Sequence, residues 1–544
     1  MSFKNNLQKI LYDACLISLK LKNFNYFYFV AIPDITPAKE AFMRLKAIFF
    51  YIILSICVLQ INQLQAQSYG FWTQNFNEES SLLSGAVVAG GSGPSAIYFN
   101  PAAIVAGGKS MFSINASLFS VDFYNLKNAL GEGIDLESSK FLIQPRFISL
   151  LVQPKWNENI SLELALFNNE SYEVTLTNTV DENIDILQYL PGTERYYAFY
   201  HFRNKYRDDW LAVGGAWKVS EELLLGLSWY GGIKTLNYEV ETDIEAMPLS
   251  DTIYIGGEAV PFYSATWQSV EFVKFNDYRM SLKLGMIYKK PRFSFGITLK
   301  TPSVRVYSDG KKVLKKEKQA NIMSEGGQDF MPEYTIVDSK EKKEVTTNFK
   351  DPLSVALGVM FNTPDKKHTG FLTTEFFGWI DPYNIVSAQV NPSISPVETF
   401  ESPGHPDWLT FAHAAKPIVN VAIGYRQLIA ENLLLMGGFK TDLNYRKGVD
   451  YKSYSHINKM KALELNIFHV SAGFRLNIKN HELITGLNYA FGVEHGRTQF
   501  ANYADPVEYN TIEGKALQGT RQNNMRVRYN SISLYLGANL SFLR

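Results

Sequence analysis

Along most of the chain, apolar residues recur at every second position. In the clearest stretch Met280, Leu282, Leu284, Met286 and Tyr288 alternate with Arg279, Ser281, Lys283 and Gly285. An extended backbone turns such a dyad into one apolar face and one polar face, so each stretch predicts a β-strand. Similar rows run through Phe293, Phe295, Ile297 and Leu299, and through Leu353, Val355, Leu357, Val359 and Phe361. Near the C-terminus Ile532, Leu534, Leu536, Ala538, Leu540 and Phe542 oppose Ser531, Ser533, Asn539 and Ser541. A tilted strand needs about ten residues to cross a bilayer. Segments of that length fall near 109–124, 141–153, 160–170, 206–219, 223–236, 276–289, 292–301, 352–362, 369–380, 416–427, 432–444, 462–477, 482–493 and 529–543. They number about fourteen, the even count expected of a single-chain outer-membrane barrel.

A soluble sandwich shows the same period, but its connectors need no particular order. Here they alternate. Short ones carry turn residues: Lys155-Trp156-Asn157-Glu158-Asn159, Ser220-Glu221-Glu222, Lys290-Pro291, Thr363-Pro364-Asp365-Lys366-Lys367, Ala430-Glu431 and Lys479-Asn480-His481. The long ones, such as 237–275, 302–351, 381–415 and 494–528, are polar with aromatic clusters. With both termini periplasmic, this order places short turns inside and long loops outside, as outer-membrane barrels do. Such a sheet must close, because an open edge in hydrocarbon leaves backbone groups unpaired at several kcal/mol each. The sequence therefore predicts an all-β fold, a transmembrane antiparallel β-barrel. Phe542 supplies the near-terminal aromatic that the barrel-assembly machinery would read.

Composition and charge narrow the function. The 544 residues carry formal net charge zero and are 46% hydrophobic and 14% aromatic. A neutral balance lacks the basic footprint of a nucleic-acid binder. Met43, Arg44 and Lys46 precede an uncharged apolar run from Ala47 to Leu59, and Leu64-Gln65-Ala66 ends in a small residue. That layout is a secretory signal peptide over 43–66, with residues 1–42 read as an upstream misassigned start and a mature chain beginning at Gln67. Both cysteines, Cys15 and Cys57, fall before that cleavage. No disulfide or thiolate metal site is then available.

Residues 85–105, GAVVAGGSGPSAIYFNPAAIV, put a Gly-rich run ahead of Asn-Pro-Ala, between the signal peptide and the first strand. The stretch resembles the N-terminal hatch of FadL-type transporters of long-chain fatty acids and aromatic hydrocarbons, through Gly85, Ala86, Ala96, Tyr98, Phe99, Asn100, Pro101 and Ala102. Ala103 replaces the glycine that usually follows, and Gly90, Gly91 and Gly93 make the centre richer in glycine than is usual. The resemblance implies a hatch over 67–108, a barrel of about fourteen strands over 109–544, and passive uptake of hydrophobic small molecules by a monomer. Those molecules would be released laterally through the wall, with outer-membrane lipid and lipopolysaccharide around the barrel. Gly85, Gly90, Gly91, Gly93, Asn100, Pro101 and Ala102 are the expected gating residues.

The expected protein is not an enzyme and needs no cofactor. His201, His368, His405, His413, His456, His469, His481 and His495 are scattered without metal-ligand spacing. Gly90-Gly91-Ser92-Gly93 lacks the Lys-Ser/Thr of a phosphate loop. Lys311, Lys312, Lys315, Lys316, Lys318, Lys340, Lys342 and Lys343 read as a solvated external loop, with lipopolysaccharide phosphates as the alternative partner. Aromatic clusters at Tyr196, Tyr197, Phe199, Tyr200 and Phe202, and at Trp408 and Phe411, suit either capture of an apolar ligand or an interfacial girdle; Tyr197, Phe199, Trp408 and Phe411 are the capture candidates. Two other functions stay open: a barrel serving as a component of a secretion machine, and a general porin.

Overall fold

The computed structural model describes residues 70–72, 76–107, 110–115, 118–144, 147–187, 192–250, 253–260, 263–323, 333–339, 345–388, 409–449, 458–478 and 481–540. The expected signal peptide over 43–66, Gln67 and Trp408 lie outside them. Two compact units, Met1–Gln63 and Leu64–Arg544, divide the chain, and every described residue falls in the second.

That unit is dominated by one antiparallel sheet of 18 strand segments. In chain order they are β1 Met111–Asn115, β2 Leu118–Lys127, β3 Leu136–Gln144, β4 Phe147–Val152, β5 Ile160–Ile184, β6 Glu194–Lys218, β7 Leu223–Pro248, β8 Tyr263–Lys289, β9 Phe293–Lys300, β10 Val304–Met323, β11 Glu333–Ser339, β12 Ser354–Asn362, β13 His368–Phe377, β14 Ile418–Ala430, β15 Leu433–Asp442, β16 Ile467–Ile478, β17 His481–Arg497 and β18 Met525–Leu540. Backbone pairing runs β4–β5–β6–β7–β8–β9–β12–β13–β14–β15–β16–β17–β18. The last strand pairs with both β2 and β1, at Leu118↔Tyr535 and Phe112↔Leu540, and β1 pairs onward with β4. Between Lys127 and Leu136, β2 turns into its partner β3.

Local chemistry sets the short turns. Asn157 Oδ1 accepts from Asn159 N at 2.9 Å, Ser220 Oγ from Leu223 N at 3.1 Å, and Asp365 Oδ1 from Lys367 N at 3.1 Å. These side-chain acceptors stand in for a backbone turn bond.

The alternating rows keep their faces. Met280, Leu282, Leu284 and Met286 are exposed, whereas Ser281 and Lys283 are buried. The strands nevertheless run well past the expected segments. Residues 237–248 and 263–275 continue β7 and β8, and 304–323 and 333–339 form β10 and β11, where long loops were expected. In these extensions the apolar face changes sides. On β7, Leu225, Leu227, Trp229 and Ile233 face out, but above Lys234 it is Leu236, Tyr238, Val240 and Ile244 that are buried, with Glu239, Glu241, Asp243 and Glu245 on the other face. Tyr196, Tyr200, Phe202, Tyr206, Tyr238, Phe275, Phe349 and Phe411 join one aromatic-rich core with the chain around Tyr503. A second sheet of Val345–Thr347, Ile380–Ala388, Phe411–Ala415 and Asn458–Lys459 packs into that core.

Candidate functional site

Residues 76–107 form a compact N-terminal segment built from two short helices and two 3-10 turns. Helix α1, Glu78–Leu82, is capped by Asn77, whose Oδ1 accepts from Ser80 N at 3.1 Å. Helix α2, Ala96–Phe99, runs into Asn100 and the 3-10 turn Pro101–Gly107. Gly90 and Gly91 have φ of 139° and 83° in succession, which only glycine adopts without strain. A side chain at Gly91 would also lie 2.9 Å from the Phe371 ring.

The segment rests on inward-facing glycines of the sheet. Four pairs stand directly opposite one another on neighbouring strands: Gly226 and Gly285, Gly296 and Gly358, Gly424 and Gly438, Gly473 and Gly486. A Cβ built on Gly226 would come within 2.5 Å of Pro101 O and nearer still to Ala102 N. One on Gly358 would be 2.7 Å from Ala89 N, one on Gly438 2.7 Å from the Leu83 carbonyl carbon, and one on Gly473 2.7 Å from Leu82 Cδ1. The first pair therefore seats Asn100 to Ala102, the second Val88 and Ala89, and the last two Leu82 to Ser84. At the first three pairs glycine lets backbone approach backbone, and at the fourth it makes room for the Leu82 side chain.

Polar groups fasten what the glycines admit. Asn100 is wholly buried; its Nδ2 donates to Val88 O at 2.7 Å and to Met286 O at 3.2 Å, while its Oδ1 accepts from Ala102 N at 3.1 Å. One side chain thus ties together the segment, the sheet and the following turn. Tyr230 OH donates to Ile97 O and Lys283 Nζ to Tyr98 O, both at 2.6 Å. Glu79 accepts from Arg426 and Arg475, each at 3.0 Å, and Ser471 Oγ donates to Leu82 O at 2.9 Å. Ahead of the segment, Trp72 Nε1 donates to Glu375 Oε2 at 2.7 Å.

A buried charge network lies higher on the same inner face. Lys234 Nζ contacts Asp208 Oδ2 at 3.0 Å, Asp351 Oδ1 at 2.9 Å and Tyr206 OH at 3.0 Å. The remaining Asp208 oxygen accepts from Trp210 Nε1 at 2.7 Å.

Beside Trp210 the sheet is irregular. Between Asn168 and Glu170 the pairing of β5 with β6 shifts by one residue, a bulge that re-aims the side chains around it. Among the described residues β4 pairs with β5 from Phe147↔Phe167 to Val152↔Leu162, while β3 pairs with β2 and not with β5. A cavity of about 340 Å³ opens at this seam. Its lining mixes buried Phe147, Phe167 and Trp210 with the exposed Leu166, Leu211 and Ile233 of the opposite face.

Gly85, Gly90, Gly91, Gly93, Asn100, Pro101 and Ala102 all sit in the N-terminal segment, and Asn100 to Ala102 meet the sheet at Gly226 and Gly285. Tyr197 and Phe199 are half-buried on the outward parity of β6, whereas Tyr196, Tyr200 and Phe202 point into the core. Phe411 is fully buried against Tyr238, ring centroids 6.3 Å apart. Lys311, Lys312, Lys315 and Lys316 are on strand β10; Lys340, Lys342 and Lys343 fall outside the described residues. Tyr230, the Glu79 partners and the pairing of the glycines were not singled out from sequence, and Lys283 and Gly285 entered there only as polar positions of an alternating row. Among the described residues no cluster of His, Cys, Asp and Glu has the arrangement to hold a metal ion.

No family model and no curated protein matches the chain. Solved structures do. The chain is similar to a Pseudomonas aeruginosa FadL homologue, at 12% identity and a TM-score of 0.49 over 87% of this chain and 100% of that one. It is similar to the Pseudomonas putida toluene transporter TodX, at 13% identity and 0.49 over 86% and 99%. The Ralstonia pickettii toluene transporter TbuX follows at 13% and 0.46 over 86% and 99%. These structural neighbours are FadL-type transporters.

Proposed function

We propose that the chain is an outer-membrane β-barrel that passes hydrophobic small molecules passively, with residues of about 67–108 as a hatch in its lumen. Counting β1 with β2, β3 with β4, β9 with β10 and β11 with β12 as single crossings, the 18 segments correspond to about fourteen crossings whose pairings return from β18 to β1. Closure of that ring and outward apolar rows satisfy the backbone in hydrocarbon. The glycine seats support a hatch lying against the inner wall.

The observation that carries the reading is the cavity at the β4–β5 seam. It takes residues from both faces of one wall, which supports a lateral route for an apolar solute between the lumen and the lipid-facing side. The expected route is capture outside, passage beside the hatch and lateral release. Uptake of a labelled hydrocarbon into proteoliposomes, paired with planar-bilayer conductance, tests it. Deleting 86–102 should leave a folded barrel, raise ion conductance and abolish selective uptake. A wide ion conductance in the intact protein would identify a porin, and uptake unchanged by the deletion would refute the hatch.

A further inference from the structure

The outward face of the upper sheet carries cations in one register row. On β7 the outward apolar residues end at Ile233, which stands opposite Tyr278 of β8. Tyr278 in turn stands opposite Tyr307 of β10, their rings 5.6 Å apart, an aromatic pair of the kind that lines a membrane boundary. Farther along β7 lies Asn237, and the pairing through it reads Lys205, Asn237, Lys274, Lys312 across β6, β7, β8 and β10. Four residues of tilted strand separate this row from Ile233, a rise of roughly 10 Å. A lysine stem reaches several ångströms from its backbone, so the ammonium groups can meet the headgroup zone above the acyl chains.

Two of these lysines face each other without relief. Lys274 is exposed and stands directly opposite Lys312, whose Nζ lies 5.6 Å from the centroid of the Phe272 ring. Like charges placed so, with Cβ atoms about 5 Å apart, repel. Lys311, the extra residue of a bulge at this point, adds a further cation. The acids of the face are engaged elsewhere. Glu173 holds Lys140 at 2.5 Å, Lys205 at 3.1 Å and Arg203 at 3.6 Å; Asp209 holds Arg207 at 2.5 Å, and Asp309 holds Lys311 at 3.8 Å. Glu239, diagonal to Lys274, stands directly opposite Arg203. Among the described residues Lys274 and Lys312 are thus left without a carboxylate in ion-pair contact. An anion with several acceptor oxygens would bridge them.

Resting on the outer-membrane reading above, we infer that Lys274 and Lys312, with Lys205 beside them, form a ledge that binds a phosphate of lipopolysaccharide in the outer leaflet. The lipid's acyl chains would lie along the exposed Ile233, Met280 and Leu282 below, which a soluble anion has no use for. The ledge also sorts the lysines of β10: Lys312 belongs to it, whereas Lys315 is buried on the other face.

The test reconstitutes the full-length protein in phosphatidylcholine vesicles containing either bis-phosphorylated lipid A or the same lipid with both phosphates removed. Lipid retained after extraction into mild detergent is counted by native mass spectrometry. The phosphorylated form should be retained in preference, and less so as salt is raised. Lys274→Gln combined with Lys312→Gln should weaken retention by about thirtyfold, taking about fivefold for each lysine near a charged membrane surface. Lys366→Gln combined with Lys367→Gln removes the same charge from the exposed short turn at the other end of the sheet and should change nothing. Equal retention of the two lipids, or equal loss in the two double variants, overturns the inference, while hydrocarbon uptake in the same vesicles keeps the transport reading standing. Inorganic pyrophosphate that competes as strongly as lipid A would make the row a site for soluble anions and overturns it as well. Failure to insert into the vesicles refutes the membrane reading and the ledge with it. The comparison of the two lipids uses unmodified protein, and heat-modifiable gel mobility checks the variants.

Discussion

A single methyl group placed on the hatch seat should open the lumen. In Gly226→Ala the new Cβ meets the Pro101 carbonyl and Ala102 N, with Pro101 O at 2.5 Å. Neither contact is the far end of a flexible side chain, so backbone has to move. Overpacking of this kind costs about 1–3 kcal/mol. The local seat is held by Asn100 to Met286 O, by Tyr230 to Ile97 O and by Lys283 to Tyr98 O. At about 1 kcal/mol for each neutral bond and about 2 for the charged one, those contacts are worth roughly 4 kcal/mol. The methyl therefore weakens the seat without abolishing it, and a loss of about 2 kcal/mol raises the displaced fraction by roughly thirtyfold. Planar-bilayer recording should show open events at correspondingly higher frequency, with gel mobility and melting of the barrel unchanged. Gly370→Ala is the control: it is also a strand glycine, but a Cβ there meets nothing within 4 Å. If Gly226→Ala conducts no more than the unmodified protein, or Gly370→Ala conducts as much, the glycines do not seat a plug.

Leu284→Arg, in the middle of an exposed row, should destabilise the folded protein by about 2–4 kcal/mol in denaturant titrations in lipid, as expected for a cation at the bilayer midplane. Lys283→Leu should leave that titration nearly unchanged but raise conductance, because Lys283 is buried and donates to Tyr98 O at 2.6 Å. N-terminal sequencing of protein from outer membranes should begin at Gln67; recovery of residues 1–42 would refute the export reading. His413 is held well below its usual value by burial, then by Arg446 and Lys234, with Asp351 opposing. Its folded pKa is depressed, so the neutral ring's contribution is present above about pH 6.5 and is lost as pH falls below that unfolded-state value. Stability of the loop core, read by protease protection, should therefore drop on acidification, and less so in His413→Gln.

The exposed apolar rows were legible because they obey one rule over their whole length: apolar out, polar in. The row from Met280 to Met286 and the burial of Ser281 and Lys283 follow from spacing alone. The upper halves of β7 and β8 were not legible as strands, because their charged outward residues resemble a solvated loop. Glu239, Glu241 and Asp243 alternate with Tyr238, Val240 and Thr242 as regularly as any membrane row, but with the opposite sense. On β6 the run from Tyr196 to Phe202 has aromatic residues on both faces, so parity could not be read there and Tyr197 was not separable from Tyr196. At the hatch, Asn-Pro-Ala marked the segment that meets the sheet. Its glycine counterparts were hidden, since a glycine at inward parity adds nothing to hydropathy and its meaning appears only when neighbouring strands are in register.

The change of sense along β7 also acts as a depth gauge. Outward apolar residues begin near Leu223 and end at Ile233, ten residue steps along the strand. At about 3.4 Å per residue and a tilt of about 40°, that span rises about 26 Å, which matches the hydrocarbon band of an outer membrane. Sinking the protein by one pleat would draw Thr235 into acyl chains, and raising it by as much would strand Ile233 in water. A ring of strands marked this way can tilt or breathe only within narrow limits. The elevation of the seam is then set by the bilayer, so a leaflet thinner than this band would shift where a solute leaving the protein meets its lipid.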